Sequence, residues 1–232
     1  MLPLLSEAYD YPVDVEFTVN FRNDSTFFFN LVQCRPLQTR GLGKNIEIPK
    51  LDSKEECLFY SEGNFMGGNL RIPVDKIIFV DIHEYLEMPE QEKYQVARYI
   101  GKLNQILKNQ NVLLMGPGRW GTTTPSLGVP VHFTEISHMA AICEISYQDE
   151  GLMPELSYGS HFFQDLVESG VFYIALFKEQ KNVVFHEEML KKENLLANYI
   201  SEAEDYKKCI QVLDTKGMEL YSDISCQRVF CR

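Results

Sequence analysis

Nowhere in the 232 residues do 18 apolar residues run together, so the sequence predicts no transmembrane helix. Positive charge is scarce: 22 lysines and arginines stand against 33 acids, a net charge of −11. Nucleic-acid backbones and anionic membranes attract basic surfaces, so neither is expected as a partner. Paired cysteines are missing too. Cys34, Cys57, Cys143, Cys209, Cys226 and Cys231 form no C-x-x-C and no zinc-ligand spacing. That pattern predicts scattered, reduced thiols in a cytoplasmic protein. Met1-Leu-Pro-Leu-Leu is apolar, but it lacks a basic flank and meets Glu7 and Asp10 too soon for a secretory leader. Tryptophan occurs once. The rest is ordinary, 45% hydrophobic and 24% charged, enough for one large or two small globular domains.

The lone Trp120 lies in the stretch that organises the chain, Asn111 to Ser137. Val112 to Met115 reads as a buried strand. It empties into Gly116-Pro117-Gly118-Arg119-Trp120-Gly121 and then Thr122, Thr123 and Thr124. Glycines at this density allow a sharp turn and a close approach. Arg119, Thr122 and the backbone at Gly116 and Gly118 have donors suited to an anion. No helix pattern follows at once, which excludes a P-loop and a dinucleotide fingerprint. Two readings stay open, an anion-binding loop and a tight corner that docks Trp120 in the core.

Upstream, Lys76 to Ile82 reads as a strand. Pro89 can open a helix with Glu90 and Glu92 in its first turn, and Val96, Ile100, Leu103 and Leu107 recur at helical spacing through Asn109. Strand, helix and strand predict a parallel βαβ unit with the glycine loop at a carboxyl strand end, where open α/β sheets take ligands.

Tyr11 to Asn20 alternates, with Val13, Val15 and Phe17 on one side and Asp14, Glu16 and Thr18 on the other. Asn23-Asp24-Ser25 is turn chemistry and Phe27 to Cys34 a second strand, which predicts a hairpin ended by Pro36. Gln33 and Arg35 share a face. Two carboxylates, an amide and a guanidinium on one polar face could hold Mg²⁺ and a phosphate. They could equally be a solvated face with cross-strand ion pairs.

The sequence D-V-E-F, followed by a strand ending L-V-Q-C-R-P-L, resembles the end of the ATP-grasp nucleotide-binding domain of the pyruvate phosphate dikinase and phosphoenolpyruvate synthase family. The resemblance spans about residues 10 to 38. It implies that Asp14 and Glu16 match metal- and nucleotide-binding acids, and that Gln33 and Arg35 match catalytic groups near the terminal phosphates. Mg²⁺ and ATP are implied on the same basis. The lysine, arginine and glycine-rich phosphate contacts that precede this hairpin in the family are absent from the sequence, as are the phosphohistidine domain and the pyruvate-binding barrel. The expectation is therefore a C-terminal portion, inactive alone, whose partners are a missing N-terminal ATP-grasp half and a nucleotide or other phosphorylated small molecule.

Gln38 to Asn69 has little periodicity and reads as a connector, with Leu58-Phe59-Tyr60 a short strand and Gly67-Gly68-Asn69 a point of close approach. Downstream, Val129 to Phe133, Ala140 to Ser146 and Val171 to Phe177 read as strands. His132 is expected to be a hydrogen-bonded structural histidine, and Glu135 and Glu144 are candidate acids, Glu144 on a strand face. Pro154 to Gly159 reads as a loop. Ser160 can cap a short helix carrying Phe162, Phe163, Leu166 and Val167 and ended by Gly170. Ser160 and His161 at its N-terminus could complete a phosphate site with Arg119, or His161 could be a plain surface histidine. Glu187 to Ile200 reads as one helix, and Ile210 to Leu213 with Glu219 to Tyr221 as a closing hairpin. The pairing of GPGRWG-x-x-x-P-x-L-G with G-S-H-F-F-Q-D-L also resembles the uncharacterised C-terminal region of bacterial proteins carrying the same nucleotide domain. The expected fold is α/β or α+β, a mixed sheet with a βαβ unit and flanking helices. The expected division is 1–38 for the ATP-grasp end, 39–72 for the connector and 73–232 for a C-terminal domain.

Overall fold

The computed structural model describes residues 1–10, 13–22, 26–36, 46–51, 53–146, 156–157 and 160–232. The turn expected at Asn23-Asp24-Ser25, Gly41 and Gly43 of the connector, and most of the Pro154–Gly159 loop lie outside them. The chain divides into two compact units, Met1–Gln38 and Thr39–Arg232.

In the first unit, helix α1 (Leu2–Tyr9) packs on strand β1 (Val13–Phe21), which pairs antiparallel with β2 (Phe27–Pro36). None of its described residues is buried.

The second unit holds β3 (Phe59–Glu62), β4 (Phe65–Met66), β5 (Leu70–Pro73), β6 (Lys76–Val80), α2 (Ile82–Glu87), α3 (Glu90–Ile106), β7 (Val112–Pro117), β8 (Ala141–Ser146), α4 (His161–Glu168), β9 (Phe172–Phe177), β10 (Val183–Phe185), α5 (Leu196–Tyr199), β11 (Ile210–Asp214), β12 (Glu219–Asp223) and β13 (Arg228–Cys231). A six-stranded sheet runs β11-β6-β7-β8-β9-β4, and a five-stranded antiparallel sheet runs β10-β3-β13-β12-β5. Strands β6, β7, β8 and β9 are parallel and lie in sequence order. A right-handed crossover between neighbouring strands returns on a fixed side. Adding strands always in one direction therefore puts every crossover on the same face.

Side-chain alternation then makes three layers. Ile78, Val80, Leu114, Ile142, Tyr173 and Ala175 face a core shared with Val96, Ile100 and Leu103 of α3, Ile136 and Leu166 of α4. Their neighbours Ile77, Phe79, Leu113, Met115, Cys143, Phe172 and Ile174 face Phe59, Ile72, Leu220 and Val229 of the five-stranded sheet. Ile48 and Leu51 cover part of that sheet's outer side, over Cys57, Tyr60, Tyr221 and Phe230. No described helix is long and apolar enough to cross a membrane.

The short strand expected at Leu58-Phe59-Tyr60 is β3, and Gly68 and Asn69 make the expected close approach, at Ser222 and Ile224. Three expectations change. Val129 to Phe133 is not a strand; it ends in a 3₁₀ turn, Phe133–Glu135, and His132 is exposed. Ile210–Asp214 and Glu219–Asp223 do not form a hairpin, because β11 pairs with β6 while β12 pairs with β5 and β13 in the other sheet. The helix expected over Glu187–Ile200 is two short turns, Glu187–Leu190 and Leu196–Tyr199. Asn194 is the cause of that break. Its Nδ2 donates to the carbonyls of Lys207 and Ile210, and its Oδ1 accepts from the amides of Leu196 and Val212. Asn194→Ala is expected to cost about 2–3 kcal/mol in urea unfolding, because backbone groups inside the fold lose their partners.

Candidate functional site

The polar face of the hairpin depends on one irregularity. Asp14 pairs with Arg35 and Glu16 with Gln33, but Phe17 then pairs with Leu31, so Val32 is an extra residue on β2. Without that bulge the one-residue slip would turn Gln33 and Arg35 to the side of Val15 and Phe17. With it, Asp14, Glu16, Gln33 and Arg35 share a face, since directly opposed residues project together. Arg35 Nε donates to Asp14 Oδ2 at 3.1 Å, and both side chains are about a third exposed. An exposed pair of this kind contributes at most about 1 kcal/mol. It can open to admit a ligand. Among the described residues no three His, Cys, Asp or Glu side chains gather as a metal cluster.

The GPGRWG loop is pinned from all sides. The amides of Gly118, Arg119, Trp120 and Gly121 donate to Ile145 O, Leu127 O, Glu144 Oε1 and Val129 O. Four backbone amides of the loop are thus engaged by the protein itself. The glycines serve packing. A Cβ on Gly116 would meet the Trp120 ring at 2.8 Å, and Gly118 bridges to Gly128. Tyr85 donates to Gly128 O at 2.8 Å, Tyr94 to Thr123 O and Arg98 to Pro130 O. Thr122 folds into a local turn with Thr124, its hydroxyl donating to the Thr124 carbonyl and accepting from the Thr124 amide. Trp120 is fully buried between the loop and the helical layer. Of the two readings, the geometry supports the tight corner.

Helix α4 comes to the same place. Ser160 caps it, accepting from Phe163 N and donating to Ser157 O at 2.7 Å, and His161 in its first turn is exposed. Gly121 lies so near the Phe162 ring that a Cβ there would sit 2.3 Å away. The loop and the N-terminus of α4 are therefore neighbours.

Beneath them lies a residue whose importance the sequence understates. Glu144, on β8 beside Gly116, has no exposed surface. Its Oε1 accepts from Trp120 N at 3.0 Å and from Ser157 Oγ, and its Oε2 from Ser157 N at 2.7 Å and Tyr173 Oη at 2.6 Å. Burial pushes its pKa up, and the four donors oppose that shift without cancelling it. Ser157 and Tyr173 are equally enclosed. A serine, a carboxylate and a phenol in contact resemble a catalytic relay, but all three are closed to solvent. Glu144 instead fastens the loop, β9 and residues 156–157 to β8. Glu135, the other candidate acid, pairs with Arg98 at 2.9 Å and accepts from His132 N.

Among the described strands the parallel set shows no reversal of order, the point at which open α/β sheets form a ligand crevice. Two concavities are lined by described residues away from this loop. One of about 470 Å³ is bordered by Lys76, Asp214, Lys216 and Glu219, and one of about 930 Å³ runs along α3 by Arg98, Lys102, Glu135 and Glu202. Lys76–Asp214, Arg98–Glu135 and Lys102–Glu202 are ion pairs, so their positive charge is matched by acids of the chain. No family model, curated protein or solved structure matches the chain.

Proposed function

We propose that this chain is the C-terminal portion of an ATP-binding phosphotransferase of the phosphoenolpyruvate synthase and pyruvate phosphate dikinase type, inactive by itself. The supporting observation is the bulged hairpin, which gathers Asp14, Glu16, Gln33 and Arg35 on one face. Mg²⁺ in nucleotide sites takes one or two carboxylates and completes its shell with phosphate oxygens and water. Two acids with an amide and an arginine fit that demand. In this reading Asp14 and Glu16 hold Mg²⁺, which neutralises phosphate charge. Gln33 hydrogen-bonds a phosphate oxygen, and Arg35 leaves Asp14 for a phosphate through its two-pronged guanidinium. Positioning and electrostatics supply the catalysis. The reading also implies a cytoplasmic setting, where ATP is present and the free cysteines stay reduced.

Titration calorimetry of the chain with Mg-ATP, ADP, phosphate and phosphoenolpyruvate tests this. Mg-ATP binding that Glu16→Ala and Arg35→Ala weaken at least about tenfold, a loss of roughly 1.4 kcal/mol, while Arg119→Ala does not, is the expected result. Binding that survives both hairpin substitutions and disappears in Arg119→Ala overturns it in favour of a non-catalytic module with an anion site at Arg119, Ser160 and His161.

A further inference from the structure

The reverse face of the same hairpin carries a second inference, which concerns this chain without the N-terminal half that the phosphate reading implies. Phe17 opposes Leu31, Val19 opposes Phe29 and Phe21 opposes Phe27, so these six side chains form one apolar face. It holds no ionisable group. Phe17 stacks on Phe29 with centroids 4.5 Å apart, and Phe21 meets Phe27 at 6.3 Å. The face is nevertheless uncovered: Phe17 is 52% exposed, Phe21 81%, Phe27 62%, Phe29 41% and Leu31 42%.

A two-stranded hairpin is at best marginally stable in water, and this one belongs to a unit with no buried residue among those described. Something must therefore remove the aromatic face from water if the unit is to persist. On aromatic side chains of roughly 200 Å² each, the exposed fractions leave about 500 Å² of apolar surface. Two such faces pressed together bury about 1,000 Å², the lower bound for a specific interface. A sheet face packs on another sheet face at about 10 Å, with side chains interdigitating. The net charge of −11 opposes self-association in general, and these six uncharged side chains are where that opposition is least.

We propose that the occupant is a second copy of this chain, the two hairpins stacking apolar face to apolar face about a two-fold axis. The polar face with Asp14, Glu16, Gln33 and Arg35 then points away from the interface on each protomer.

Sedimentation equilibrium of the full chain across micromolar concentrations decides it. The expected mass is twice 26.9 kDa, with Phe21→Glu/Phe29→Glu raising the dissociation constant at least about a hundredfold, as loss of central aromatic anchors does. Thr18→Glu/Asn30→Glu puts the same charge on the opposite face of the same strands and is expected to leave the dimer intact. Trp120 fluorescence reports that the second unit stays folded in each variant. A monomer at all concentrations, a dimer indifferent to Phe21→Glu/Phe29→Glu, or a dimer lost equally in both pairs of substitutions overturns the proposal.

Discussion

Glu144→Ala is expected to lower the unfolding free energy of the 39–232 unit by about 3–5 kcal/mol. The substitution leaves the amides of Trp120 and Ser157 without acceptors inside the fold, and removes the acceptor of Tyr173 Oη and one of the two acceptors of Ser157 Oγ. The hydroxyls of Ser157 and Tyr173 can rotate; the amides cannot. Glu144→Gln separates charge from shape. Whichever way the amide side chain flips, its NH₂ replaces an oxygen that accepts a backbone N–H, so one amide is orphaned and the expected cost falls to about 1–3 kcal/mol.

The pH dependence has a definite sign. Burial raises the folded pKa of Glu144 above the ordinary carboxylate value, so the folded protein holds that proton more tightly than the unfolded chain. Its favourable share is complete below the unfolded pKa and declines as pH rises through the raised folded value. The stability gap between the native chain and Glu144→Gln should therefore narrow over that window. Urea unfolding at several pH values reads it, and a gap that widens with pH would show that the four donors outweigh burial.

Gly128→Ala is the second large effect, again about 3–5 kcal/mol. Gly128 has φ +153°, and a Cβ there would fall 2.0 Å from Arg119 O and 2.5 Å from Arg119 N. These are backbone atoms held by Arg119 N–H···O Leu127 and by the Gly118–Gly128 bridge, so they cannot step aside cheaply. The loop must open, and Trp120 leaves its pocket. As the only tryptophan, it reports directly: its emission should shift to the red in native buffer. Gly170→Ala is the control. Gly170 also has positive φ, +72°, but nothing lies within 4 Å of an added Cβ, so only backbone strain of about 1–2 kcal/mol is expected. Equal losses at the two positions would refute the steric account.

The regular part of this fold was legible because local pattern and environment agree there. Ile77–Val80, Val112–Met115 and Val171–Phe177 are continuous apolar runs because each strand is buried on both faces, and Val96, Ile100 and Leu103 mark a buried stripe of α3 that Leu107 continues. What stayed hidden was decided at a distance. Nothing near Thr215-Lys216-Gly217 tells that the strands on either side join different sheets. Asn194 breaks a helix by reaching carbonyls at Lys207 and Ile210. For the candidate site, the shared face of Asp14, Glu16, Gln33 and Arg35 was readable, though the bulge behind it shows only as adjacent Leu31 and Val32. Glu144 could be flagged as an acid within an apolar run. Its anchors Ser157 and Tyr173 could not, because neither lies near it in sequence.

The position of β13 has a consequence for how the protein is made. Arg228–Cys231 lies in the middle of the five-stranded sheet, with Phe59 beside Cys231 on one side and Leu220 on the other. A ribosome delivers β3 and must then synthesise β4 to β12 before its central neighbour exists. Leu58, Phe59, Leu70 and Ile72 stay without their full cover throughout that interval, while the sequentially wound strands β6 to β9 can assemble as they emerge. The nascent chain thus carries a folded helical layer on a half-dressed sheet until Val229 and Phe230 emerge to close it.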